Sequence, residues 1–145
     1  MLIRIQPESF DLAALLKDFG AGAGAVVTFS GLVRDDTGTM LALELEHYPG
    51  MTEKSVTDIA TRARARWNLT DLAVIHRYGR LNVGEAIMCV ATAARHRAEA
   101  FAAAEYLMDY LKSRAPFWKR EIGQDGPGAW VAAKDADEDA LSRWD

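Results

Sequence analysis

Four cations fall within nine residues toward the end of the chain: Lys112, Arg114, Lys119 and Arg120, in the stretch MDYLKSRAPFWKRE (108–121). No acid lies between Lys112 and Arg120. Ala115-Pro116 divides them, and proline disfavours helical backbone in the residue before it. A helix is expected to stop near Ala115 and a strand to begin at Phe117. The cations then sit on the end of a helix and the start of a strand, folded about one corner. Such a set binds phosphate or carboxylate and stabilises developing negative charge, and its lysines can act as acid, base or nucleophile. Arg34, at a strand end beside the turn-rich Asp35–Thr39, and Arg97 extend the cationic set. A plainer account of Lys112 and Arg114 exists, because cations offset the negative end of the helix macrodipole. It does not reach Lys119 and Arg120, which lie beyond the proline. Arg34 reads equally as a ligand clamp or as a solvated edge arginine.

Other chemistries find no footing. HExxH, CxxC and EF-hand patterns are absent, and no catalytic triad can be assembled. The three histidines are far apart in sequence, with no metal-ligand spacing, so no metal is expected. No cofactor is expected either. The single cysteine, Cys89, lies in the apolar run Ala86–Ala91 and reads as an inert core residue. Asp135–Asp145 carries five acids against one arginine, which equals the formal net charge of −4 for the whole chain. The remainder is neutral, which argues against nucleic acid as a partner. No apolar run approaches the ~20 residues of a membrane span, and the start, MLIRIQPESF, has no signal-peptide core. The expectation is a cytoplasmic α/β protein, residues 1–145 forming one domain, with an acidic tail or terminal helix at 135–145.

The elements that position the cations follow from periodicity. Leu2–Gln6 predicts a strand and Pro7–Phe19 a short helix, with Leu12, Leu15, Leu16 and Phe19 on one face. Gly20–Ala25 lacks the Gly-Lys-Ser/Thr ending of a phosphate loop and reads as a flexible connector. Ala25–Arg34 predicts a strand with a bulge or close approach at Gly31. Leu41–Tyr48 alternates as a half-exposed antiparallel strand, with His47 on the leucine face as a satisfied core histidine. Thr52–Trp67 predicts a helix capped by Thr52, burying Val56, Ile59, Ala60, Ala63 and Trp67 and leaving Arg62, Arg64 and Arg66 in solvent. Leu72–Tyr78 predicts a strand, 79–84 a loop, and Glu85–Ala93 a central strand. His96 opens a helix to Lys112 or Ser113 whose core stripe is Phe101, Ala104, Leu107, Met108 and Leu111. Lys112 follows Met108 by four residues, so it borders that stripe and is partly desolvated. Gly123–Ala129 reads as loop and Trp130–Ala132 as a short strand.

The segments VTFSGLVRD, LELEHYPGM, VIHRYGRLNVGE, HRAEAF and MDYLKSRAPFWKRE, in this order, resemble the large, catalytic subunit family of molybdopterin synthase. The resemblance spans about Gly24 to Val131, and KSRAPFWKRE is its most specific piece. It implies an α/β hammerhead fold with a mostly antiparallel sheet and flanking helices. It implies sulfur transfer in molybdenum cofactor biosynthesis: cyclic pyranopterin monophosphate gains two sulfurs and becomes the dithiolene of molybdopterin. The sulfur arrives as a C-terminal thiocarboxylate on a small ubiquitin-like partner, whose Gly-Gly tail enters the pocket. Two large subunits are implied to form a central homodimer within a heterotetramer. By resemblance, Lys112 and Lys119 are catalytic. Leu32, Val33, Arg34, His96, Arg97, Lys112, Lys119, Arg120 and Glu121 match substrate-binding positions. Relatives often carry arginine just after the Trp-Val strand, whereas this chain has Lys134, which keeps the charge of a phosphate contact without its bidentate grip.

The residues agree with that picture. One buried cysteine equips the chain poorly to carry sulfur itself, and a cyclic phosphate accounts for a cationic pocket. The competing reading is a non-catalytic anion- or partner-binding module built on the same corner.

Overall fold

The computed structural model describes residues 1–131 and 135–145, so Lys134 and Ala132 lie outside the described residues. In chain order the elements are β1 (Leu2–Gln6), α1 (Leu12–Leu16), β2 (Ala25–Leu32), β3 (Met40–His47), α2 (Met51–Trp67) and β4 (Asp71–Arg77). There follow β5 (Gly79–Asn82), β6 (Ala86–Ala94), α3 (Arg97–Ser113), β7 (Phe117–Gly123), β8 (Gly126–Pro127), α4 (Asp135–Ala140) and a closing 3₁₀ turn, Leu141–Trp144. The fold is mixed α/β, as expected. One four-stranded sheet has the order β1-β4-β6-β2 and a second the order β5-β3-β7-β8. Every pairing is antiparallel except β1 with β4.

The continuous apolar runs of β4 and β6 place them at the centre of the first sheet. Leu72, Val74, Cys89 and Val90 are fully buried there. Helices α2 and α3 cover this sheet with Val56, Ile59, Ala60 and Ala63 from one and Ala100, Ala103, Leu107 and Leu111 from the other. Each large side chain so buried contributes roughly 1.5–3 kcal/mol. Val33, Leu45 and Leu81 form a smaller core against the second sheet. The expected irregularity at Gly31 is present: the β2–β6 register shifts between Gly31 and Leu32.

Several expectations are corrected. The cap of α2 is Gly50, at φ +84°, whose N–H donates to the Glu53 carboxylate at 2.7 Å. Thr52 lies inside the first turn instead, fully buried, and its hydroxyl donates to the Pro116 carbonyl at 3.0 Å while accepting from the Tyr48 N–H. That bridge fixes the cationic corner to α2. The stretch 79–82, expected as loop, pairs with β3 as β5. Helix α1 is one turn and a half shorter at its start than expected, beginning at Leu12 with Asp11 as its cap. The glycine-rich stretch is held tightly: a Cβ on Gly24 would lie 2.2 Å from the Arg95 carbonyl oxygen, so close backbone approach is what requires glycine there. Phe101 is 62 % exposed, and the buried stripe of α3 runs through its alanines. The acidic terminus is docked. Leu141 is buried, the Trp144 indole donates to Asp109 at 2.6 Å, and Arg143 pairs with Glu105 and Asp109.

Candidate functional site

Helix α3 ends where its last backbone bonds run from Arg114 and Ala115 back to Tyr110. The chain turns at Pro116 and re-enters the second sheet as β7. This corner closes one side of a pocket of about 520 Å³. Its walls come from both sheets: Phe29, Gly31, Leu32, His76, Ile87 and Met88 from the first, and Leu43, Leu45, Phe117 and Lys119 from the second. The last turns of α3 add Met108, Leu111 and Lys112. The pocket is therefore an apolar slot with two lysines reaching it from different elements. That is the form of a site for a flat ligand with an anionic end.

Lys112 is exposed at the rim, a correction to the partial desolvation expected from its spacing. Lys119 is half-buried on β7, and its backbone pairs with Val131 in an isolated bridge, with N–H···O distances of 2.7 and 3.3 Å. Of the short strand expected at 130–132, the described residues show this single bridge at Val131, and Ala132 lies outside them. Leu32 lines the pocket and is 60 % exposed. Of the sequence-derived site residues, the structure brings together Leu32, Lys112 and Lys119.

The others lie elsewhere. Strand residues alternate faces, so Arg120 points away from Lys119. Its guanidinium donates to Glu44 at 2.9 Å and lies 4.4 Å over the Trp130 ring. Glu121 is exposed on β7, opposite Leu43. Val33 is a core residue with both backbone polar groups engaged, its N–H to Glu85 and its C=O from Gly84. Arg34 is exposed and paired with Asp36 at 2.7 Å. His96 and Arg97 sit, exposed, at the opposite end of α3 from Lys112. His47 is buried and stacked on Tyr78 at 4.1 Å, but its Nδ1 has no hydrogen-bond partner among the described residues, so the expectation of a satisfied histidine is not met. Among the described residues, no three His, Cys, Asp or Glu side chains are grouped to hold a metal ion.

Two features of the pocket were not read from the sequence. Asp137 and Glu138 of α4 line it, and Glu138 pairs with Arg114 at 2.9 Å. His76 lines it as well, 8 % exposed and stacked on Phe117 at 3.7 Å. The available signal was a histidine ending the apolar run Leu72–Ile75, a place where an imidazole is forced into the core. Burial lowers the His76 pKa from 6.5 to about 4, with Lys112 on α3 and His47 on β3 adding to the shift and the Arg77 carbonyl opposing it. The unfolded chain therefore binds a proton between pH 6.5 and about 4 that the folded chain refuses. Stability should fall with pH through that window, by up to about 3 kcal/mol, and be unaffected by His76 above it. Urea midpoints measured from pH 7 to 4 check this. A His76→Phe variant should lose that limb, and an identical acid limb in the variant would refute the assignment.

A mixed α/β fold with two sheets meeting at an apolar slot that two lysines reach has the form of a site for an anionic, partly apolar ligand. The comparisons narrow this class. The MoaE protein family matches residues 5–114. The molybdopterin synthase catalytic subunit of Cereibacter sphaeroides is 61 % identical, over 99 % of this chain and 100 % of its own. The molybdopterin biosynthesis MoaE protein of Burkholderia ambifaria superposes with a TM-score of 0.83 at 49 % identity, covering 99 % of this chain and 97 % of that one. Molybdopterin synthase from Staphylococcus aureus superposes with a TM-score of 0.78 at 30 % identity, over 89 % and 96 % of the two chains. The chain belongs to the MoaE family.

Proposed function

We propose that this chain is the catalytic subunit of a molybdopterin synthase, a sulfurtransferase of molybdenum cofactor biosynthesis. The observation that carries the reading is the convergence of Lys112 and Lys119 on one slot, from α3 and β7, which join at the Pro116 corner that Thr52 of α2 holds. The slot accepts cyclic pyranopterin monophosphate, its ring system against Phe29, Leu45, Met88 and Phe117 and its phosphate toward cationic side chains. A small ubiquitin-like subunit supplies sulfur through its C-terminal thiocarboxylate. In each transfer the thiocarboxylate sulfur bonds to a substrate carbon, which gives up a carbon–oxygen bond, and water then cleaves the resulting thioester, so the sulfur stays on the substrate and the partner leaves as a carboxylate. Lys112 and Lys119 hold the negative charge of thiocarboxylate and substrate and are placed to move protons. The fully buried Cys89, its thiol pKa raised by burial, takes no part. Leu32, Val33, Arg34, His96, Arg97, Arg120 and Glu121 remain substrate-binding assignments. His96 and Arg97, at the far end of α3 from the slot, are best supplied by a second copy of the chain.

A homodimer within the heterotetramer fits the surface. Strand β2 is an edge of the first sheet, and it exposes Val26 and Phe29, at 48 % and 43 %, while α3 exposes Phe101. Unpaired strand edges and apolar surface of this kind invite a partner. All 145 residues are taken as one domain. No helix of the described residues is long and apolar enough to cross a membrane. A cytoplasmic location is in keeping with a free thiol.

The defining assay mixes this protein with a thiocarboxylated small subunit and the cyclic pterin and measures the dithiolene product. The same assay with a partner lacking its last two residues should give no product. An extended Gly-Gly tail is what threads a narrow slot, since glycine brings no side chain to clash. Undiminished transfer from the truncated partner would rule out tail insertion. The alternative, an anion- or partner-binding module, predicts no product with either partner.

A further inference from the structure

We propose that His76 is a substrate-contacting residue of the pocket, its Nε2 accepting a hydrogen bond from an N–H or O–H group on the bound heterocycle. The inference rests on the functional reading above and adds to it a specificity-determining residue.

Geometry fixes what this ring can do. His76 Nδ1 lies 2.9 Å from the carbonyl oxygen of Arg77. A carbonyl only accepts, so Nδ1 carries the proton and Nε2 of the neutral ring keeps its lone pair. The ring is stacked on Phe117 at 3.7 Å with 17° between planes, which holds its orientation. No hydrogen bond to Nε2 is found among the described residues, and Nε2 is not one of their sealed unpartnered atoms, which leaves it able to meet a ligand in the slot that His76 lines. Water meets an acceptor that reaches the slot, and a ligand that displaces that water leaves the acceptor unpaired unless it donates in its place.

The slot's carboxylate acceptors, Asp137 and Glu138, stand on α4, Glu138 paired with Arg114, so the sheet side of the slot has His76 as its side-chain acceptor among the lining residues. Lysine offers donors only. Beside His76, Met88 opposite it on β6 and the stacked Phe117 offer neither donor nor acceptor of strength. A heterocycle held by an anionic group at the lysines still carries N–H groups that lose water on entry. His76 replaces that water at a fixed point, and a heterocycle presenting a lone pair there is rejected. The groups facing His76 are Lys112 on α3 and His47 on β3, and together with burial they keep the ring neutral, as an acceptor must be.

Two variants and one spectroscopic measurement test this. His76→Phe keeps the stack on Phe117 and removes Nε2, and His76→Gln restores a neutral acceptor. With cyclic pyranopterin monophosphate and thiocarboxylated small subunit, His76→Phe should raise KM about ten- to a hundredfold with a smaller change in kcat. Melting temperature at pH 7 and affinity for the partner's tail peptide should hold. His76→Gln should recover part of the KM. In the wild-type protein labelled with ¹⁵N-histidine, the Nε2 resonance of His76 should be of the unprotonated type and should shift when the pterin is added without partner. A folded His76→Phe protein with wild-type KM overturns the proposal. So does a Nε2 resonance that is protonated or unmoved by bound pterin, and this arm decides the matter if both variants fail to fold. Wild-type protein that neither binds the pterin nor forms product overturns the functional reading itself, a result distinct from wild-type turnover with an indifferent His76.

Discussion

Lys112→Ala and Lys119→Ala should each lower dithiolene formation about 100- to 10,000-fold, the range that positioned acid-base groups contribute, while the fold survives. The structure says why the fold is indifferent. Lys112 is exposed on the last turn of α3, so its truncation opens no core cavity. Lys119 holds its place in β7 through backbone bonds to Val131 and ladder bonds to β3, none of which needs the side chain. Circular dichroism and thermal melting should therefore match the parent protein. Lys112→Arg separates the two functional readings. A module that only binds anions keeps its charge and its function. A catalyst that must place an ammonium proton against a thiocarboxylate loses most of its activity, because guanidinium is bulkier and does not release a proton in proteins. Near-normal turnover by either folded alanine variant would remove that lysine from the catalytic role.

Much of this site was legible because it rests on local rules. Proline after Ala115 ends a helix whatever surrounds it, so the helix–strand corner could be placed from sequence. The apolar run of β6 has no polar face, so it had to be a central strand, and it is. What escaped reading depends on partners distant in the chain. The stretch Gly79–Asn82 carries no strand pattern of its own and becomes β5 only through pairing with Ala42–Leu45. Phe101 fits a helical stripe by spacing, but the face that α3 buries runs through Ala100, Ala103 and Ala104, and the phenylalanine beside them is left outside. Arg120 adjoins Lys119 in sequence, which hides the alternation that turns it to Glu44 on the other face. Acidic composition led no further than a tail or terminal helix at 135–145. Yet Trp144 against Trp67 and Tyr106, with ring centroids at 5.5 and 5.4 Å, anchors it and sets Asp137 and Glu138 at the pocket.

Two inactive proteins should restore activity to each other when their subunits exchange. His96 and Lys112 both match substrate-binding positions, yet α3 runs from Arg97 to Ser113 with His96 as its cap. The structure keeps that helix unbroken, and no proline or glycine lies between the two residues to bend it. Sixteen residues at 1.5 Å each set them about 24 Å apart. A tricyclic pterin is much shorter than that. On the proposed substrate-binding assignments, one ligand would meet Lys112 and Lys119 of one chain and His96 and Arg97 of another, across a two-fold axis. Mix a His96→Ala/Arg97→Ala protein with a Lys112→Ala protein under conditions of subunit exchange. Each mixed dimer then holds one site with every residue intact and one site lacking both sets. Random exchange makes half the dimers mixed, so activity should return to about a quarter of the parent level. Exchange is verified independently, by mass spectrometry of differently labelled chains. If mixed dimers form and remain inactive, His96 and Arg97 do not complete the neighbouring site, and the pocket at the Pro116 corner works with the residues of one chain alone.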